Sequence, residues 1–228
     1  MQFVGTNDVA ADVAVQARKG NSRLKVTDRF IQTLRIRKAA AYIPSGGRIL
    51  DIGCGDGALF RHMSGRFSEG IGIDPELDTP ADFGTYRLIS GWFPGDLPVT
   101  DGFDAITMLA MLEHVPPDIQ REMATECSRL LNPSGRLIIT VPSKRIDPIL
   151  DLLKRMRVID GMSLDQHYGF DPQLTPLLFA SNDLSLIKSE AFEMGLNYLF
   201  VFEKTPVPSE PEFQLTASSA ERSPMQHG

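Results

Sequence analysis

The sequence reads as an α/β protein built on a doubly wound, mostly parallel sheet. Three observations point there. Short apolar runs alternate with helix-like stretches, a glycine-rich turn follows the first run, and two strand-like runs near the end are separated by only four residues.

In chain order, Val26, Phe30, Ile31, Leu34 and Ile36 recur near helical spacing from Leu24 onward, with Arg35, Arg37 and Lys38 among them. This predicts a helix to about Ala41, closed by Pro44 and the Gly46-Gly47 pair. Arg48–Ile52 is a short apolar run that ends in the glycine turn, and Ala58–Met63 opens the next helix. Gly70–Ile73, Tyr86–Ile89, Phe103–Leu109 and Arg136–Val141 supply further strands. Between the last two, Ile119, Met123, Cys127 and Leu130 step along one face of an amphipathic helix. That helix starts after His114-Val115-Pro116-Pro117 and stops near Asn132-Pro133-Ser134-Gly135. Connections this short join parallel strands through right-handed crossovers.

The third quarter departs from the rhythm. Ile146–Ile159 reads as an amphipathic helix, and Asp160–Pro176 as an irregular loop carrying Gln166, His167 and Tyr168. Leu184–Phe192 and Asn197–Glu203 then form an antiparallel hairpin, because so short a link joins nothing else. The organisation expected is a loose segment over 1–22, one domain over 23–204 and a disordered Pro-, Ser- and Glu-rich tail over 205–228. Within the domain, 145–176 is expected to form an insert or lid on the acceptor side.

Composition bounds the function. The chain has 228 residues, 42% hydrophobic and 23% charged, which suits one domain with a substantial core. A net charge of −6 gives no global pull toward nucleic acid, and aromatic and basic residues do not interleave as an RNA surface requires. No apolar stretch approaches the ~18 residues of a membrane span, and Met1–Gly20 lacks a secretory pattern. Two cysteines, Cys54 and Cys127, argue for neither a disulfide framework nor a metal site, and cytoplasmic residence is the expectation.

The informative segment is Ile49-Leu50-Asp51-Ile52-Gly53-Cys54-Gly55-Asp56-Gly57. A buried strand runs into glycines at alternate positions, which let the backbone turn sharply and approach a ligand closely. One strand later, Asp74 lies at the end of Gly72-Ile73-Asp74, placed to accept hydrogen bonds from both hydroxyls of a ribose. Together they describe a nucleoside crevice at the carboxyl edge of a parallel sheet. Gly53, Gly55 and Ala58 also satisfy the dinucleotide fingerprint G-x-G-x-x-G/A, so an NAD-dependent dehydrogenase is a competing reading, and a plain turn is another. Charge separates the ligands. Asp51 and Asp56 would repel a pyrophosphate, with no Lys or Arg between Arg48 and Arg61 to offset them, whereas an ammonium and a sulfonium would be attracted.

The pattern resembles the class I S-adenosylmethionine (SAM)-dependent methyltransferases, in the small-molecule group often called type 11 or 12. The resemblance runs from about Arg37 to Lys204 and rests on four motifs in order. They are Leu50–Gly57, Gly72–Asp74, the stretch from Phe103-Asp104-Ala105-Ile106 through Leu112-Glu113-His114-Val115, and Leu130–Leu137. It implies a seven-stranded Rossmann-like sheet with the last strand antiparallel, and SAM as cofactor held by Asp51, Gly53, Cys54, Gly55, Gly57, Asp74 and Leu109. Many relatives carry an Asp after the third strand for the adenine amino group. Here the stretch is Ser90-Gly91-Trp92-Phe93-Pro94-Gly95-Asp96, so Trp92 or Phe93 is expected against the adenine, with Asp96 a lesser substitute and a core role for Trp92 the alternative.

Methyl transfer from SAM is an in-line displacement that positioning alone accelerates greatly, so a dedicated base is optional. His114 is the candidate base, because it follows the fourth strand and an imidazole titrates in the useful range. His167 and Tyr168 are the candidate acceptor-binding pair. Between Lys144 and Arg157 five cations face two aspartates among apolar residues, which suits an anionic, partly apolar acceptor or peripheral membrane contact. Leu109-Ala110-Met111-Leu112 is not the Asn-Pro-Pro-Tyr type of motif for amino-group methylation of bases, and no Pro-Cys pair for cytosine chemistry occurs. A small-molecule, lipid-linked or saccharide-type acceptor is left, with a non-catalytic SAM-binding regulatory or assembly module as the other alternative.

Overall fold

The computed structural model describes residues 29–98, 102–143, 170–181 and 183–206. It opens with helix α1 over 29–40. Strand β1 (Arg48–Ile52), helix α2 (Ala58–His62) and strand β2 (Glu69–Asp74) form the first strand–helix–strand unit. Then come β3 (Ala81–Asp82), β4 (Tyr86–Ser90) and β5 (Phe103–Leu109), followed by helix α3 (Pro117–Leu130) and strand β6 (Leu131–Pro142). A short helix α4 (Thr175–Phe179) leads into β7 (Leu184–Phe192) and β8 (Asn197–Lys204).

The strands form one eight-stranded sheet in the order β3-β4-β2-β1-β5-β6-β8-β7. Five of them, β4, β2, β1, β5 and β6, run parallel. β8 enters antiparallel between β6 and β7, so the closing hairpin is as expected. The count is eight, not the expected seven, because two-residue β3 folds back antiparallel on β4. So short a strand has no periodicity for a sequence to display.

Side chains alternate across the sheet and build a layer of core on each face. Leu50, Ile52, Ile106, Met108, Leu137 and Ile139 pack with Met123 and Cys127 of α3 and Phe179 of α4. Their neighbours Ile49, Ala105 and Ile138 pack on the other face with Ile36, Ala39 and Ala40 of α1 and Leu59 and Phe60 of α2. β1 lies between β2 and β5 with Asp51 opposite both Gly72 and Thr107, so its C-terminal end is the middle of the sheet's carboxyl edge.

Two local expectations change. Ile119 is 37% exposed, and the buried face of α3 is Gln120, Met123, Cys127 and Leu130. Gln120 spends its amide on the turn before the helix, donating from Nε2 to Leu112 O (3.2 Å) and Val115 O (2.7 Å), which makes a polar residue acceptable there. The end of the 160–176 loop is not irregular: Pro172–Leu174 is a 3₁₀ turn that continues into α4. The loose segment at 1–22, the 146–159 helix, the basic cluster from Lys144 to Arg157 and most of the tail lie outside the described residues.

Candidate active site at the carboxyl edge

Strand β1 delivers Asp51 to the carboxyl edge, where it is only 3% exposed. Thr107, opposite it on β5, donates from Oγ1 to Asp51 Oδ1 at 2.6 Å. Burial pushes the Asp51 carboxyl up to about 7; the Thr107 hydrogen bond pulls against that, and the nearby Asp74 charge adds to it. A carboxylate so placed is stabilised by a cation brought against it.

The glycine turn wraps this position. Gly53 has φ 74°, and a Cβ there would stand 2.9 Å from Cβ of Met111, so only glycine lets the turn lie beside the segment after β5. Gly55, at φ 51°, has nothing within 4 Å of an added Cβ and faces open space, as a close backbone approach to a ligand requires. Asp74, half-buried at the end of β2, accepts from Gly55 N–H with Oδ2 and from Glu76 N–H with Oδ1, both at 2.8 Å. Its carboxylate therefore holds the apex of the glycine turn.

A cavity of about 340 Å³ opens against these groups. Asp51, Gly53 and Cys54 line it from the turn, Leu109 and Ala110 from the end of β5, and Arg29, Gln32 and Arg35 from α1. The three α1 residues were not among the expected site residues. Their side chains come from a helix that reads as amphipathic packing, and nothing local shows that it crosses the glycine turn. They change the electrostatics: the crevice is rimmed by two arginines as well as by carboxylates. Asp56 is also answered, by Arg61 Nη2 at 2.6 Å on its Oδ2, so Asp51 is the acid that faces the cavity.

The other expected residues separate. Phe93 is buried among the core residues beside Ile73, whereas Trp92 is 71% exposed and has no core role. Asp96 is committed to its own turn, accepting from Trp92 N–H at 2.8 Å. Cys54 is buried within the glycine turn, and burial with three nearby aspartates holds its thiol protonated far above the ordinary range. His114 ends the 3₁₀ turn Leu112–His114 with its side chain half exposed. Beside it, Glu113 is 3% exposed, and burial lifts its carboxyl to about 7. His167 and Tyr168 lie outside the described residues. Among the described residues no helix is long and apolar enough to cross a membrane.

Comparison with known proteins agrees with this geometry. Residues 25–175 match the methyltransferase domain family. A ubiquinone biosynthesis O-methyltransferase of Dechloromonas aromatica is 35% identical over 112 residues, covering 42% of this chain and 44% of that relative. A protein of the same description from Xanthomonas oryzae is 36% identical over 108 residues, covering 42% and 43%. The matches therefore span less than half the length of these curated relatives. Among solved structures, a Burkholderia thailandensis 1,6-didemethyltoxoflavin-N1-methyltransferase with bound S-adenosylhomocysteine superposes with TM-score 0.59 at 19% identity, over 90% of this chain and 92% of that one. The N-methyltransferase NodS of Bradyrhizobium japonicum gives TM-score 0.53 at 13% identity, over 78% and 96%. Those identities speak for the fold. With the family match over most of the domain and the glycine turn and Asp74 at its centre, the chain belongs to the methyltransferase domain family, in the class I SAM-dependent group.

Proposed function

We propose that this chain is a SAM-dependent methyltransferase acting on a hydroxyl of a small-molecule or lipid-like acceptor. The observation that carries the reading is Asp51, a buried carboxylate lining a cavity that Arg29 and Arg35 also line. The methionine part of SAM is a zwitterion, so its ammonium suits Asp51 and its carboxylate suits the arginines. Gly53, Gly55 and Gly57 give the backbone approach, Cys54 and Leu109 flank it, and Asp74 takes the ribose hydroxyls. Phe93 and Trp92, after β4, stand on the adenine side. When bound, SAM supplies a methyl group on a sulfonium that is already an activated leaving group.

A dinucleotide fits less well, because its diphosphate at the glycine turn would meet the buried Asp51 carboxylate, and the family match is to methyltransferases. The hydroxyl acceptor is taken from the O-methyltransferases that share about a third of their aligned residues with this chain. His114 is read as an acceptor-side residue; the same reading of His167 and Tyr168 comes from the sequence, since both lie outside the described residues. Two free, buried cysteines suit a reducing cytoplasm.

Calorimetry with SAM, S-adenosylhomocysteine (SAH) and NAD tests the reading. SAM and SAH are expected to bind and NAD to give no heat; tight NAD binding without SAM binding overturns it. Replacing Asp74 with Ala is expected to weaken SAH by about 1–3 kcal/mol through lost charge-assisted hydrogen bonds. Unchanged affinity in the folded variant removes Asp74 from the ribose site.

A further inference from the structure

We propose that Glu113 is the catalytic residue that takes the proton from the acceptor's hydroxyl, an inference that rests on the methyl-transfer reading above. Glu113 stands three residues beyond cavity-lining Ala110, in the turn that leaves β5 at the carboxyl edge. The turn is well held: His114 N–H donates to Met111 O at 3.0 Å, Val115 N–H to Leu112 O at 3.1 Å, and the Gln120 amide reaches from α3 to Leu112 O and Val115 O. Its carboxylate is almost fully buried, yet Oε2 has no hydrogen-bond partner among the described residues. A buried acceptor left without a donor is costly, so it marks a place where a donor from outside is received.

The surroundings connect that oxygen to the cavity. Arg35, on the cavity wall, is the cation whose charge acts on Glu113 from α1. The same guanidinium acts on Glu193, in the turn between β7 and β8, whose Oε1 is likewise buried without a partner. The remaining titratable group at Glu113 is His114, with Nε2 4.0 Å from Oε1 and its ring half exposed. Arg35 thus links Glu113 to the cavity wall, and the half-exposed His114 is its neighbour toward solvent.

The step balances within these groups. The acceptor's O–H proton passes to the Glu113 carboxylate, which becomes a carboxylic acid. The acceptor oxygen's electron pair forms the new C–O bond, and the S–C bonding pair stays on sulfur as the neutral thioether of SAH. His114 is the exit by which the proton reaches water. A base that holds its proton near neutral pH, as burial makes this one do, suits such a transfer.

The test compares the intact protein with Glu113→Gln and Glu113→Asp. SAH calorimetry is expected to give affinities within about threefold for all three, since Glu113 is not assigned to the cofactor. Methyl transfer is read with two probes, phenol and the more acidic 4-nitrophenol, at pH 8. Glu113→Gln is expected to lose about 100-fold or more in kcat with phenol and under about 10-fold with 4-nitrophenol, which arrives largely ionised. Glu113→Asp keeps a carboxylate and is expected to fall between. Infrared titration of the Asp51→Asn protein, in which the other carboxyl raised to about 7 is absent, supplies a readout without turnover: a carboxylic-acid band with a midpoint near pH 7, missing when Glu113→Gln is added. Equal loss with both phenols, or no loss, overturns the proposal. If the unaltered protein binds SAH but methylates neither phenol, the hydroxyl-acceptor reading fails and takes the proposal with it, an outcome distinct from an active unaltered protein whose rate Glu113→Gln leaves unchanged.

Discussion

Asp51 shows how one side chain ties ligand preference to stability. Its folded carboxyl titrates at about 7 against an ordinary value of 3.8, chiefly because burial disfavours the charge. Between these values the ligand-free protein holds a proton that the unfolded chain has released. Its stability therefore falls as pH rises from about 4 to about 7, with the loss complete above that. Glu113, raised to about the same value, acts with the same sign. Replacing Asp51 with Asn keeps an oxygen for the Thr107 hydroxyl and removes the buried charge. Urea unfolding at pH 8 is expected to show Asp51→Asn more stable than the unaltered protein by about 1–3 kcal/mol, with the gap closing by pH 5. The same substitution is expected to weaken SAH binding at pH 8. A variant equally stable at both pH values would mean that Asp51 carries no buried charge.

At the level of elements, α3 and the turn before it work as a unit. Pro117 begins the helix at a position where its missing N–H costs nothing. At the other end Lys204 Nζ donates to Ser128 O (2.7 Å) and Leu131 O (2.8 Å), tying the last turn to the end of β8. Gln120 does the corresponding work at the start. Replacing it with Leu leaves the carbonyls of Leu112 and Val115 without their amide donor in a buried place. Thermal or urea unfolding is expected to show a loss of about 1–3 kcal/mol, and the turn carrying Glu113 loses its support. A loss below about 0.5 kcal/mol would show that the amide is replaceable. The exposed Ile119 beside it explains why periodicity alone misjudged this face. One step around the helix exchanges an isoleucine for a glutamine, and only the position of the preceding turn decides which is covered.

Across the whole molecule, the strands, the glycine turn and the closing hairpin were legible because each has a short-range signature: apolar runs, alternate glycines, a link of four residues. Asp51 and Asp74 were legible for the same reason, as acids at the ends of neighbouring strands. Arg29, Arg35 and Glu193 were not, because the groups they meet lie far along the chain. Trp92 and Phe93 were equal candidates until burial put one in the core and the other in water. Since the crevice draws on α1, β1, β2 and β5 together, its ligand binds only the folded state. SAH at about 100 times its Kd is expected to add about 2.7 kcal/mol, seen as a rise of roughly 5–10 °C in Tm, while NAD adds none. A melting curve indifferent to SAH would break the link between this crevice and the fold.

The sheet order has a further consequence, for the border of the array. β7 precedes β8 in the chain yet lies outside it, and β8 stands between β7 and β6. Leu184–Phe192 therefore has β8 as its one neighbour in the sheet, whereas β8 is paired on both sides. The described lining of the crevice ends at Ala110, before β6 begins, so loosening this border strand leaves the cofactor edge its own supports.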